Sequence, residues 1–249
     1  PLAAYTLAGW LFRRRWAGVG AALVAGSLSY MPAYYASWGR YTQLAGLVVL
    51  PAACLAACRT LERDGFRHAP TAALLSAGLA LTHYRVLLLY VFAWPLVILW
   101  RGLAARHWRE AARAAARALA VGGAALALIA PWAWRFARQV LPEVGSAYGG
   151  WAASEAAGGL STGLLEAYWF LPLLAVAAAG LAWGIARRRG ATLFLGAWVG
   201  MWFLAANLHV VGLRDIWLLD ADAVVISLWL PVGALCGYLV ADATGVSVA

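Results

Sequence analysis

The chain has 249 residues, of which 65% are hydrophobic and 12% charged, and its mean hydropathy is +0.77. A soluble domain carries about 25% charged residues, so this composition excludes a water-soluble globular protein and predicts a polytopic helical membrane protein. The net charge of +9 comes from 19 arginines and no lysine, against 10 acidic residues. The arginines lie between apolar runs and form no groove or arm, which favours a lipid bilayer over nucleic acid as the partner.

The apolar stretches and the breaks between them predict an all-α transmembrane bundle of about nine spans, in a single domain that covers residues 1–249. Two of the predicted spans, 70–82 and 86–100, are short for a hydrocarbon core of about 30 Å. We expect them to extend into the flanking residues or to tilt against neighbouring helices. The chain begins at Pro1 without a signal peptide, and we expect it to be the C-terminal part of a longer protein. The predicted spans are residues 1–12, 16–32, 44–58, 70–82, 86–100, 118–134, 164–186, 190–206 and 218–241.

The arginines alternate between the two ends of these spans. Fourteen of them fall in the loops around residues 13–15, 59–67, 101–117 and 187–189, and the other five fall in the opposite set of loops. Because arginine accumulates in cytoplasmic loops, the first set is predicted to be cytoplasmic, together with the C-terminus.

Two segments between the spans have distinct predicted roles. Residues 135–163 form a glycine-rich outer loop, whose length is typical of a functional or mobile loop. Residues 101–117 are expected to form a cytoplasmic interfacial helix, held by anionic lipid. The arginines on one face of that helix are Arg106, Arg109, Arg113 and Arg117.

The five outer arginines lie on the side that should be poor in arginine, which indicates that they serve a function other than orientation. Arg40 lies in the aromatic run Trp38-Gly39-Arg40-Tyr41-Thr42-Gln43. A guanidinium there can hold a phosphate in a bidentate fork, while the aromatic rings stack on a sugar or line an isoprenoid chain. The alternative is an interfacial arginine that reaches lipid headgroups. The five are Arg40, Arg85, Arg135, Arg138 and Arg214.

The string His83-Tyr84-Arg85 interrupts a tight hairpin between two apolar helices at the same outer level. His83 can donate to a phosphate or act as an acid or base, and its alternative role is structural hydrogen bonding. Arg85 beside it favours an anion site.

Carboxylates also gather on the outer side, near the start of the last predicted span. Asp215 and Asp222 are seven residues apart, with Asp220 between them, and can act as a general base, metal ligands or a proton relay. The alternative is that they are simply hydrated. No Walker A loop, dinucleotide glycine motif or zinc spacing is present, so we expect no soluble cofactor, although a divalent metal remains possible.

The run Ser29-Tyr30-Met31-Pro32-Ala33-Tyr34-Tyr35-Ala36-Ser37-Trp38-Gly39-Arg40-Tyr41-Thr42-Gln43-Leu44-Ala45-Gly46 resembles bacterial membrane glycosyltransferases of the GT-C type, and Thr82-His83-Tyr84-Arg85 and Leu230-Pro231-Val232-Gly233 are similar to the same group. The resemblance implies a GT-C-like fold in the bacterial inner membrane. It implies a sugar donor linked to polyprenyl phosphate, and a glycan, lipid or protein acceptor at the outer face.

The resemblance also implies roles for individual residues. Arg40 and Arg85, with His83, would stabilise the departing lipid phosphate. The catalytic carboxylate of the family lies in its first outer loop, upstream of this chain, so Asp215 or Asp222 would replace it only if that loop lacked one. The residues expected to contact substrate are Trp38, Tyr41, Gln43, Tyr84 and Arg214.

Two other functions stay open from the sequence. A transporter or lipid-intermediate flippase would place paired charges deep within broken spans, whereas the charges here lie at one face. A lipid-linked polymer ligase would use the same outer arginines, and the sequence does not distinguish it from a glycosyltransferase.

Overall fold

The computed structural model describes residues 1–62, 64–140, 142–143, 162–166, 170–213 and 219–245, and these residues contain helices and connections but no strand. The predicted all-α class is therefore confirmed. The longer helices follow the apolar runs, as expected where the backbone hydrogen bonds must be satisfied within each segment.

The helices are α1 (Leu2–Phe12), α2 (Arg15–Leu23, continued by a π-turn Val24–Leu28), α3 (Tyr34–Ser37), α4 (Tyr41–Thr60), α5 (Ala69–Thr82), α6 (Tyr84–Val91), α7 (Ala93–Ala105), α8 (Trp108–Arg135, continued by a π-turn Phe136–Val140), α9 (Thr162–Glu166), α10 (Phe170–Ala186), α11 (Gly190–Ala206), α12 (Ala221–Ser227) and α13 (Trp229–Ala243). Two short 3₁₀ turns, Gly65–His68 and Leu208–Val211, join α4 to α5 and follow α11.

Four helical stretches among the described residues are long and apolar enough to cross a membrane: Tyr41–Thr60, Tyr84–Ala105, Trp108–Val140 and Ala221–Ala243. Three shorter apolar helices, α1, α10 and α11, have 11 to 17 residues. The chain thus has the helices of a membrane protein. The finer expectation of nine spans stays a prediction.

The last stretch, α12 and α13, forms the centre of the bundle. Of its most apolar 18-residue segment, 89% of the residues are buried. Close approach to α2 depends on glycine, because a methyl group at Gly237 would collide with the backbone of Ala17. Phe12 at the end of α1 stacks on Tyr238, with ring centroids 4.6 Å apart. A glycine at position 237 therefore lets α13 and α2 pack with their backbones in close contact.

The junction of α6 and α7 is held by tryptophans from α11. The indole N–H groups of Trp198 and Trp202 both donate to the carbonyl of Leu89 in the last turn of α6, at 2.8 and 3.1 Å. These bonds attach α6, which begins just after His83, to α11.

The segment 101–117, expected as one interfacial helix, is divided in the structure. Its first five residues end α7, and the chain then turns at Arg106, which has a left-handed φ of 53°, and at the extended His107. The N–H groups of Arg106 and His107 bond to the carbonyls of Leu103 and Gly102, which closes the end of α7. The remaining residues begin α8, so α7 and α8 form a helical hairpin.

The arginine-rich loops meet at one end of the bundle. Arg14 pairs with Asp242 at 3.0 Å, Arg101 lies 3.9 Å from Glu62, and Arg117 donates to the backbone carbonyl of Glu62. The loops that the sequence groups together are therefore neighbours in space. Which membrane face they occupy stays a prediction.

Candidate functional site

Three helices begin close together at the opposite end of the bundle. Arg40 directly precedes α4, His83 precedes α6, and Asp220 precedes α12. Arg40, Arg85 and Asp220 all lie within electrostatic reach of His83. We call Arg40, His83, Arg85 and Asp220 the helix-start cluster. The N-terminal ends of helices carry partial positive charge, so their meeting point favours an anion.

Close packing of α4 against the junction of α5 and α6 brings these helix starts together. A methyl group at Gly46 would lie 3.1 Å from Cγ2 of Val86 and 3.2 Å from Oγ1 of Thr82. The two packed helices α5 and α6 are separated only by His83. The glycine in α4 thus sets how near Arg40 comes to His83 and Arg85.

Arg85 and Asp220 form a short ion pair, with Nη1 2.5 Å from Oδ2. Arg85 is buried, and its Nε donates to the hydroxyl of Tyr84 at 3.1 Å. Oδ1 of Asp220 accepts the backbone N–H of Ala223 at 2.6 Å, which caps α12. Both oxygens of Asp220 therefore have donors, and the carboxylate holds Arg85 in place.

His83 is a neutral member of the cluster. Its Nδ1 accepts the backbone N–H of Arg85 at 3.3 Å, so the ring proton belongs on Nε2. Burial, followed by the positive charges of Arg85 and Arg40, lowers the pKa of His83 to about 4. At neutral pH the side chain thus offers one N–H donor and no charge. Its ring stacks on Tyr84, with centroids 5.0 Å apart.

Behind the cluster, Tyr35 and Gln43 form a fully buried polar pair. Nε2 of Gln43 donates to the hydroxyl of Tyr35 at 2.7 Å, and Oε1 of Gln43 has no hydrogen-bond partner among the described residues. Burial, and then the nearby charge of Asp220, raise the pKa of Tyr35, so its hydroxyl keeps its proton. The contact between Gln43 and substrate that was predicted from the sequence stays a prediction.

Arg40 lies at the rim of the cluster and is half-buried. Its Cζ is 5.0 Å from the centroid of the exposed Trp38 ring, across a turn at Gly39 with φ 67°. Among the described residues, Arg40 has no carboxylate within salt-bridge distance, and no side chain caps α4. The first N–H groups of α4 and this guanidinium are thus available to an anion.

The other predicted site residues are placed as follows. Tyr41 is 67% exposed and lies at the rim beside Arg40, whereas Tyr84 packs between His83 and Arg85. Asp222 is half-buried and lies within electrostatic reach of Tyr35. Arg214 and Asp215 lie outside the described residues, as does most of the segment 135–163 that was predicted to be an outer loop.

Sequence reasoning noted Asp220 beside Asp215 and Asp222 but did not pair it with Arg85, and it overlooked Tyr35. Asp220 carried a recognisable signal, since an aspartate just before an apolar run is typical of a helix N-cap. Tyr35 carried none, because its burial depends on packing between distant segments. In the part of the chain that the structure describes, no three His, Cys, Asp or Glu side chains are close enough to hold a metal ion.

Comparison with known proteins gives one family. A family model described as a family of unknown function, DUF6541, matches residues 1–230, which is most of the chain. No curated protein and no solved structure matches the chain.

Proposed function

The chain belongs to the DUF6541 family, and we propose that it is a membrane glycosyltransferase, which moves a sugar from a polyprenyl-phosphate donor to an acceptor at the outer membrane face. The observation that carries this proposal is the helix-start cluster, where Arg40 and three helix N-termini meet beside a fixed arginine. Such a site suits a lipid phosphate, which gains charge as it leaves a sugar.

The proposed reaction is a displacement at the anomeric carbon. A base takes the proton of the acceptor hydroxyl, the oxygen attacks the anomeric carbon, and the bond to the phosphate oxygen breaks with its electron pair. Arg40 and the free N–H groups of α4 bind the departing phosphate, and Nε2–H of His83 donates to it. Arg85, held by Asp220, adds a fixed positive charge.

The catalytic base must be a carboxylate that is free of the contacts that hold Arg85. Asp220 is a poor choice, because both of its oxygens already accept hydrogen bonds. Asp222 is the candidate that we assign among the described residues, since it lies within electrostatic reach of Tyr35 beside the cluster. Trp38 and Tyr41 at the exposed rim are the proposed contacts for the sugar or the isoprenoid chain.

The test is a transfer assay in proteoliposomes, with a radiolabelled polyprenyl-phosphate sugar and a membrane fraction as the acceptor source. We expect Arg40→Ala to slow release of polyprenyl phosphate by about 100-fold, the usual cost of losing one donor to a developing oxyanion. Arg138→Ala is the matched control, because that guanidinium lies on the ring of Trp134, 4.0 Å from its centroid. Full turnover by Arg40→Ala would refute the phosphate role. Movement of intact donor across the bilayer, without sugar transfer, would favour a flippase.

A further inference from the structure

A cavity lies at the arginine-rich end of the bundle, between α1, α4, α7 and α11. Its volume is about 330 Å³. The cavity is near the C-terminal end of α4, whereas the helix-start cluster is at its N-terminal end. Because α4 has 20 residues and a helix rises about 1.5 Å per residue, the two sites are about 30 Å apart. We call this space the Trp10–Trp100 cavity, after two residues that line it.

One side of the Trp10–Trp100 cavity is cationic. Arg13, Arg101 and Glu62 line it, so two guanidinium groups face one carboxylate. The Arg101–Glu62 pair is loose, because Nη2 and Oε1 are 3.9 Å apart, beyond hydrogen-bond distance. Nε of Arg101 is buried and has no hydrogen-bond partner among the described residues. A buried guanidinium N–H without an acceptor is costly, so an oxygen-bearing anion would be favoured here.

The rest of the lining is apolar and aromatic. Trp10, Trp100 and Phe194 line the cavity together with smaller apolar side chains. A small hydrated ion would gain nothing from these rings, whereas a hydrocarbon chain attached to the anion would bury its surface against them. The lining therefore matches a ligand with one charged end and one apolar end.

We propose that the Trp10–Trp100 cavity binds the phosphate group of an anionic amphiphile, with Arg101 and Arg13 on the phosphate oxygens and the chain against the tryptophans. Guanidinium groups bind phosphate through paired N–H groups, and the Nε–H of Arg101 has no acceptor among the described residues. Glu62 competes with the ligand for Arg101. Its removal should therefore tighten binding, which a merely structural Arg101–Glu62 contact would not predict.

The test is isothermal titration of the full chain in dodecyl maltoside, with dodecyl phosphate as the probe and inorganic phosphate as the comparison. All titrations use the Arg40→Ala background, in which the helix-start cluster has lost its contact to phosphate, so we expect one dodecyl phosphate per chain. Arg101→Ala should weaken binding about tenfold, since a charge-assisted hydrogen bond is lost, and Glu62→Gln should tighten it. Arg109→Ala removes an exposed arginine in α8 that does not line the cavity, and it should leave the affinity unchanged.

Each outcome bears on the proposal. Weaker binding by Arg101→Ala together with tighter binding by Glu62→Gln supports it, and Glu62→Gln tests it alone if the arginine variant fails to fold. Equal affinity in all four proteins would overturn the site. Equal affinity for inorganic phosphate and dodecyl phosphate would overturn the assignment of an amphiphile, and would indicate a free phosphate ligand.

Discussion

The guanidinium of Arg85 lies 2.5 Å from the carboxylate of Asp220, and the pair links the first turn of α6 to the start of the central helices α12 and α13. Arg85 is buried and Asp220 is about one-third exposed. Removal of the carboxylate would leave the buried guanidinium of Arg85 without its counter-ion and with little access to water. The pair is therefore expected to matter for stability as well as for the site.

Asp220→Asn should destabilise the protein by about 2–4 kcal/mol, because it leaves Arg85 without its counter-ion while retaining an oxygen that caps α12. The measurement is reversible unfolding in mixed micelles. Arg113→Ala is the control, since it breaks an exposed ion pair at 2.6 Å with Glu110 and should cost at most about 0.5 kcal/mol. Equal losses for the two variants would mean that burial adds nothing to the Arg85–Asp220 pair.

The buried Tyr35–Gln43 pair permits a double-mutant cycle. Tyr35→Phe should cost about 1–3 kcal/mol in the free energy of unfolding, since it leaves the buried amide of Gln43 without its only partner among the described residues. Adding Gln43→Leu should recover most of that loss, because both polar groups are then gone. If the two changes were additive, the hydrogen bond would not exist in the protein.

Acid should destabilise the protein through His83. The unfolded chain binds a proton on this side chain near pH 6.5, whereas the folded protein does so only near pH 4. The lowered pKa therefore contributes stability that is present above pH 6.5 and is lost as pH falls towards 4. Thermal melting between pH 7 and 5 should show a steeper fall for the wild type than for His83→Asn, which keeps a cap acceptor for Arg85. Parallel curves would contradict the lowered pKa.

The approach of α4 to α6 should be sensitive to one methyl group. Gly46→Ala places a carbon 3.1 Å from Val86, so we expect a loss of about 1 kcal/mol or more and weaker phosphate binding through a displaced Arg40. Gly78→Ala, in α5, is the matched control because nothing lies within 4 Å of the added carbon. It should be neutral or stabilising, by up to about 1 kcal/mol. Equal melting temperatures for the two variants would refute the close contact.

The sequence predicted the helical class because apolar runs broken by arginine leave few alternatives in a membrane. It also placed Arg40, His83 and Arg85 at one end, because successive spans return the chain to the same side. The carboxylate that pairs with Arg85 could not be predicted from the order of the spans. Asp215, Asp220 and Asp222 share one short segment, and only the packing of α12 decides which carboxylate meets the arginine.

The turn at Arg106 is a second feature of the structure that was not predicted from the sequence. The arginine spacing of 101–117 fits one continuous helical face, yet α7 ends at Ala105 and α8 begins at Trp108. Arginine is a good helix former, and no glycine or proline marks the break. Gly102 lets the two helices of the hairpin pack closely, because a methyl group there would lie 2.9 Å from Cβ of Ala111, and such a tertiary contact leaves no local sequence signal.

The central claim is that the helix-start cluster binds a lipid phosphate, and the dissociation constant of polyprenyl phosphate tests it most directly. We expect Arg40→Ala to raise that constant about tenfold or more, because a charge-assisted contact to the phosphate is lost, while Arg138→Ala leaves it unchanged. An identical dissociation constant in the wild type and in Arg40→Ala would contradict the claim.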